Sequence, residues 1–340
     1  MYDQTQLTNC TDHEDDQFYP DLFASDSEDS EMPHVSRTGE PSKYLTHVDP
    51  HEIEMRVKRQ LTLAGVEPNR TLEKLRLTRS VISGSTMIPI LLDSKFKPND
   101  LDVYANEQGG EDMLAHMHDE EEFKSVKTIE SSAASYTRIL RIHWLVKEDN
   151  LVNLIIVPDD NPMVAIFHFH STIVMNCLTG YGVFCAYPAL TLNRKSISNT
   201  GVFHTDESRR RADTCYTKYI SRGIEHQSHL RHHGRWAHHQ CGTDKSCPAT
   251  IRSMHDEESL WIGLPSVVGV GREQAAYNNV ESVIWSLGGW ECSPTRHYNM
   301  TTTVSVPIAT REIVPELEDI DSVEHEGEDD LLLVSRSSTL

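Results

Sequence analysis

Apolar and polar positions alternate along this chain in two rhythms, and the change from one to the other marks the elements. Helical spacing runs over residues 51–61, breaks at Glu67-Pro68-Asn69 and resumes over residues 72–77, which predicts two helices in succession. A short apolar strand, Val81-Ile82-Ser83, follows and ends in Gly84-Ser85. The apolar residues after it predict a helix capped at Thr86 and running to about residue 93, with Pro89 in its first turn, where a missing N–H costs nothing. From Asn99 the rhythm becomes strict alternation. On an extended strand Asp100 and Asp102 project from one face, while Leu101 and Val103 project from the other into a core.

Further on, Gln108-Gly109-Gly110 reads as a turn and residues 111–123 as an acidic surface helix. Residues 138–146 and 151–157 read as a β-hairpin with a four-residue turn, Lys147 to Asn150, whose second strand is almost wholly apolar and therefore central in its sheet. A short helix over residues 162–169, a longer one from 206 to about 222, and strands at 260–264, 280–287 and 302–307 complete the pattern. The expected fold class is α/β (α+β), a mixed sheet flanked by helices over residues 46–204. Residues 205–311 would add a helix, a His/Cys-rich loop and a β-rich second lobe.

Charge changes this picture only at the ends. The formal net charge is −21 over 340 residues, but residues 1–40 carry −10 and residues 312–340 carry −9, leaving −2 for the 271 between them. Residues 1–45 and 312–340 therefore read as disordered acidic tails, with too little apolar surface to offset the entropy of ordering. Ser25, Ser27 and Ser30 sit within acidic residues and are either kinase targets or parts of a solvating tail. The near-neutral centre excludes a broad basic platform for nucleic acid. No apolar run is long enough to cross a bilayer and the first residues lack the pattern of a signal peptide, so an intracellular, cytoplasmic or nuclear, protein is expected, with no membrane partner. Seven scattered cysteines form no disulfide framework, which leaves thiols or metal ligands.

The chemistry concentrates where the two rhythms meet. Asp100 and Asp102 repel each other unless a hard cation lies between them, and Mg²⁺ or Mn²⁺ favours a few carboxylates with water and phosphate supplying the rest. Gly84 lets backbone approach a phosphate, and Ser85 and Thr86 sit where a helix start attracts an anion. A nucleoside triphosphate would complete such a site. Gly84-Ser85, fourteen residues, then Asp100-Leu101-Asp102-Val103 resembles the signature of the nucleotidyltransferase superfamily, the DNA polymerase β-like fold, over roughly residues 70–200. The resemblance implies metal-dependent nucleotide binding and nucleotidyl transfer to a hydroxyl of RNA, protein or a small molecule, with a third carboxylate on the strand over residues 151–157. The matching position here is Asn153, which can ligate a metal but cannot act as a base. The alternative is a catalytically silent nucleotide-binding or protein-interaction module. Asp149, Asp159 and Asp160 would replace Asn153 only in a different strand register.

The segments His170-Ser171-Thr172 and Met175-Asn176 resemble those that follow such a site in uncharacterised fungal proteins. His168 and His170 are candidates for phosphate contact or for structural hydrogen bonding, and Arg209-Arg210-Arg211 for guiding RNA or triphosphate or for a solvated helix face. Residues 226–255 gather seven histidines and two cysteines. His239, Cys241 and Cys247, with His233 or His255 as a fourth, are the best-spaced ligands for Zn²⁺, in a structural rather than catalytic role. The fungal likeness extends to His239-Gln240-Cys241-Gly242 and Cys247-Pro248.

Overall fold

The computed structural model describes residues 48–130, 139–203, 206–234, 238–268, 282–287 and 301–306. The two acidic tails expected from composition lie outside the described residues. Eight helices and thirteen strands occur in the described part, and most lie near their expected positions.

Helices α1 (Pro50–Leu63) and α2 (Pro68–Thr78) both start on proline, with Asp49 and Glu67 as the capping side chains. Pro68 is thus the first residue of a helix, where its fixed φ is useful, as well as the end of the loop before it. Strand β1 (Val81–Ser83) leads through a single 3₁₀ turn, Gly84–Thr86, into the short helix α3 (Met87–Leu92). Thr86 does precede α3, but its side chain does not cap it; Thr86 Oγ1 instead donates to the Asp100 carbonyl at 3.3 Å. Pro89 falls in the first turn as expected.

Strand β2 (Asp100–Asn106) is followed at once by α4 (Glu107–Asp119). The glycine turn expected at residues 108–110 is the first turn of this helix, capped by Asn106, whose Oδ1 accepts from Gly109 N at 2.7 Å. Strand β3 (Lys124–Glu130), exposed throughout, was not foreseen. Strands β4 (Arg141–Lys147) and β5 (Asn150–Val157) form the hairpin. Its turn has two residues between the pair Lys147 and Asn150, not four, because Glu148 adopts φ 53° and tightens it.

After α5 (Met163–Ile166) come β6 (Asn176–Leu178), β7 (Gly182–Cys185), α6 (Pro188–Thr191), β8 (Lys195–Ile197), α7 (Asp206–Ser221) and β9 (Glu225–Gln227). The remainder comprises β10 (Arg252–Ser253), β11 (Leu260–Gly263), α8 (Pro265–Val268), β12 (Ile284–Ser286) and β13 (Thr303–Ser305). No helix among the described residues is long and apolar enough to cross a membrane.

Eight strands make one mixed sheet in the order β11-β7-β6-β1-β2-β5-β4-β3, antiparallel except between β2 and β5. Strand β10 pairs with β12 and β12 with β13 in a small second sheet. Strand β11, expected in the second lobe, instead completes the edge of the main sheet, which therefore draws on both sides of the boundary expected near residue 204.

Alternation along the central strands sorts side chains into two cores. Leu101, Val103, Val152, Leu154 and Ile156 pack with residues of α1, α2 and α4 on one face; Tyr104, Ile155 and Val157 join Phe167, Phe184, Tyr187 and Trp285 on the other. Asp100, Asp102 and Asn153 share the parity of the second set, at the end of the strands where the apolar packing gives way. A third cluster, with Ile88, Ile173, Val174, Cys215 and Tyr219, seats α7 beside α3 and next to that end of the sheet.

Candidate functional site

The paired aspartates are brought together with the glycine-serine turn by the pairing of three strands. Ser83 stands opposite Asp102 across β1 and β2, and Asp102 stands opposite Asn153 across β2 and β5. The position expected for the third carboxylate is therefore occupied by Asn153. Its Nδ2 donates to Asp102 Oδ1 at 2.8 Å and to Asp100 Oδ2 at 3.1 Å, so one amide group holds both carboxylates. Asp149 lies in the turn before β5, and Asp159 and Asp160 lie beyond its far end. At about 3.3 Å per residue the end of β5, Val157, is already about 13 Å along the strand from Asn153, and the Asp160 carbonyl accepts from Asn106 Nδ2 at the end of β2 away from Asp100.

The two carboxyls do not behave as ordinary surface acids. Burial first, and then the neighbouring Asp100 charge, push the Asp102 carboxyl up to about 8, while Asn153 and Lys218 pull the other way. Burial also raises Asp100, against the opposing influence of Lys218, Asn153 and Arg222. A carboxyl raised in this manner is costly to ionise until positive charge arrives, which fits the residues present to a divalent cation.

Gly84 completes the wall of the site. Its φ is 72°, a region that favours glycine, and a Cβ there would run into the Asp102 carboxylate. Ser85 is 5% exposed, and its hydroxyl is buried with no hydrogen-bond partner among the described residues. Such a group is normally satisfied in a folded protein, so an acceptor from outside the chain is the natural complement. The 3₁₀ turn and the six-residue α3 after it offer only a short run of free N–H groups, and the positive charge near the aspartates comes from cations elsewhere in the chain.

Those cations come from α7 and the residue just past it, and were not singled out in the sequence. Lys218 and Arg222 are the positive groups whose fields act on Asp100. The Arg222 guanidinium lies 4.2 Å from the centre of the Phe96 ring, which holds it over the loop between α3 and β2. Their spacing of four residues at the end of α7, one position from the apolar Tyr219, was the available signal. The more conspicuous Arg209-Arg210-Arg211 lies near the other end of α7, and Arg209 and Arg210 are exposed.

His170 keeps its Nε2 buried, with no hydrogen-bond partner among the described residues. Burial, then His226 and Lys218, hold its imidazole down to about 3, so it stays neutral and supplies no charge to a phosphate. Its ring stacks on Tyr219 at 5.9 Å, and its carbonyl accepts from the Tyr216 hydroxyl at 2.9 Å.

The zinc candidates separate into two groups. His239, Cys241 and Cys247 converge. His233 does not join them: Nδ1 pairs with Glu225 Oε1 at 3.0 Å and Nε2 with the Ser196 carbonyl at 2.9 Å, so both ring nitrogens are taken. His255 likewise points to Ser282, at 3.1 Å.

Comparison of the chain with protein-family models, with curated proteins and with solved structures finds no match.

Proposed function

We propose that this protein binds a nucleoside triphosphate together with Mg²⁺ or Mn²⁺ at Asp100 and Asp102, and transfers the nucleotidyl group to a hydroxyl acceptor. The observation that carries the reading is the convergence of two carboxyls, both raised by burial and Asp102 also by its neighbour's charge, with Gly84 and the unpartnered Ser85 hydroxyl. The cation would neutralise the carboxylates and stabilise charge on the phosphates. The chain's own groups divide the rest: Ser85 donates to a phosphate oxygen, Lys218 and Arg222 add positive field, and Asn153 fixes the carboxylates in place.

Asn153 also supports a second reading, a nucleotide-binding module without turnover. The amide has no basic atom, so the proton of an attacking hydroxyl would have to pass to one of the aspartates or to solvent. Incubation with labelled nucleoside triphosphates and Mg²⁺ or Mn²⁺, wild type beside the Asp100→Ala/Asp102→Ala double variant, separates the two. Label transferred to RNA, protein or a small hydroxyl compound, and lost in the double variant, supports transfer. Metal-dependent nucleotide binding without transfer supports the module. Absence of both sinks the proposal.

A further inference from the structure

Among the described residues of the stretch from His229 to Cys247 none contributes to the acidic site, and the stretch has a chemistry of its own. One ligand atom each from His239, Cys241 and Cys247 lies within 4.8 Å of the other two. His239 Nε2 and Cys241 Sγ are 3.5 Å apart. Zinc bonds of about 2.0–2.1 Å to nitrogen and about 2.3 Å to sulfur place neighbouring nitrogen and sulfur vertices of a tetrahedron roughly 3.5 Å apart. The observed separation is that of a coordination edge. A thiol–imidazole hydrogen bond would account for this pair, but not for a second sulfur converging on the same point.

His229 is the candidate for a fourth ligand. His229 is buried, and its ring centre lies 6.0 Å from that of His239. Two imidazoles on one tetrahedral ion have centres about 5 Å apart, so His229, which lies outside the converged set of three, has to move inward to join it. It sits between β9 and the 3₁₀ turn Leu230–His232, whereas the other three belong to a segment, residues 238–251, without helix or strand.

We infer that His229, His239, Cys241 and Cys247 form a closed, structural Zn²⁺ site that ties this irregular segment to the end of β9. Charge is compatible with the assignment: Cys247 is wholly buried against the apolar cluster containing Tyr187 and Trp285, and two thiolates on Zn²⁺ make a neutral unit. Binding transfers the metal from water to the four side chains and releases the thiol protons to solvent. With four protein ligands no position is left for a reactive water, which separates this site from catalytic zinc.

The test uses full-length protein without an affinity tag, reconstituted with Zn²⁺ and, in parallel, with Co²⁺ after chelation. About one zinc per chain is expected. The cobalt form should show a sulfur-to-metal charge-transfer band with the intense visible bands of tetrahedral geometry. Cys241→Ser and Cys247→Ser should each lose the metal, and His229→Ala should weaken binding at least tenfold and shift the visible bands. His233→Ala, which removes an imidazole engaged elsewhere, should leave stoichiometry and spectrum unchanged. Wild type that takes up no stoichiometric zinc, or a cobalt form with weak octahedral-type bands and no charge transfer, overturns the proposal, even where the cysteine variants fail to fold. A His229→Ala spectrum identical to wild type overturns the four-ligand site.

Discussion

Asn153 sets a pair of hydrogen-bond donors against two buried carboxyls, and the two aspartates are tolerable side by side for that reason. Asp102→Asn should therefore stabilise the metal-free protein, since it removes both a buried carboxyl and its repulsion from Asp100. If Mn²⁺ binds at the pair as proposed, it should raise the Tm of the wild type, and Asp102→Asn should abolish that rise, because a cation that no longer prefers the folded state cannot stabilise it. Thermal melts with and without Mn²⁺ check both halves. Asn153→Asp should do the reverse: a lower metal-free Tm, by several degrees for a change of about 1–2 kcal/mol, and a larger Mn²⁺ shift. An Asn153→Asp melt indistinguishable from wild type would count against the site. Residues of this kind were legible in the sequence, because a period of two fixes which side chains share a face, and strand pairing then follows from apolar register. Lys218 and Arg222 were not legible as site residues. Their place depends on how α7 docks through Cys215 and Tyr219, a contact between elements distant in sequence, whereas the triplet of arginines drew notice merely by being consecutive.

Helix boundaries show where local pattern falls short. Gly109 and Gly110 look like a turn, yet they lie in α4 because the helix passes close against its neighbours: a Cβ on Gly109 would lie 2.5 Å from the Thr78 carbonyl, and one on Gly110 would overlap the end of Ile156. Gly109→Ala consequently should destabilise the fold by about 1–3 kcal/mol, although alanine is the better helix former, with the loss measured as a lower urea midpoint at unchanged slope. Strand β3 escaped notice for a different reason. Its two apolar residues, Val126 and Ile129, are three apart and both exposed, so the stretch shows neither strict alternation nor a buried face. Its lysines and the irregular register between Ser125 and Lys127 suit an outermost strand, which must discourage pairing with other chains.

At the scale of the molecule, a single buried cation joins the small sheet to the large one. Arg252 on β10 is 1% exposed, donates to Asp256 at 2.5 and 2.9 Å, to the Lys245 and Ala186 carbonyls at 2.7 and 3.1 Å and to Ser259 Oγ at 3.0 Å, and lies against the Tyr187 and Trp285 rings. Arg252→Ala leaves the Asp256 carboxylate without its counter-charge, and a loss of about 3–5 kcal/mol is expected in denaturant titrations. Although burial opposes it, Arg252 holds the Asp256 carboxyl below its usual value of 3.8. The folded state then binds this proton less readily than the unfolded chain. The resulting stability is present above pH 4 or so and fades as the pH drops through the lowered value, so wild type should lose more stability than Arg252→Ala between pH 5 and about 3.

The position of β11 bears on how the chain is made. Seven strands of the main sheet are translated by residue 185, yet the hydrogen bonds along the free side of β7 wait for Leu260–Gly263. During synthesis a nascent chain would spend the intervening residues with an apolar strand, Val183-Phe184-Cys185, open to any neighbour that could pair with it. Ribosome-bound or truncated chains ending before residue 260 should thus be the species that chaperones hold and that aggregate first, and release of the last strand from the exit tunnel should mark the moment at which the fold becomes safe from its own edge.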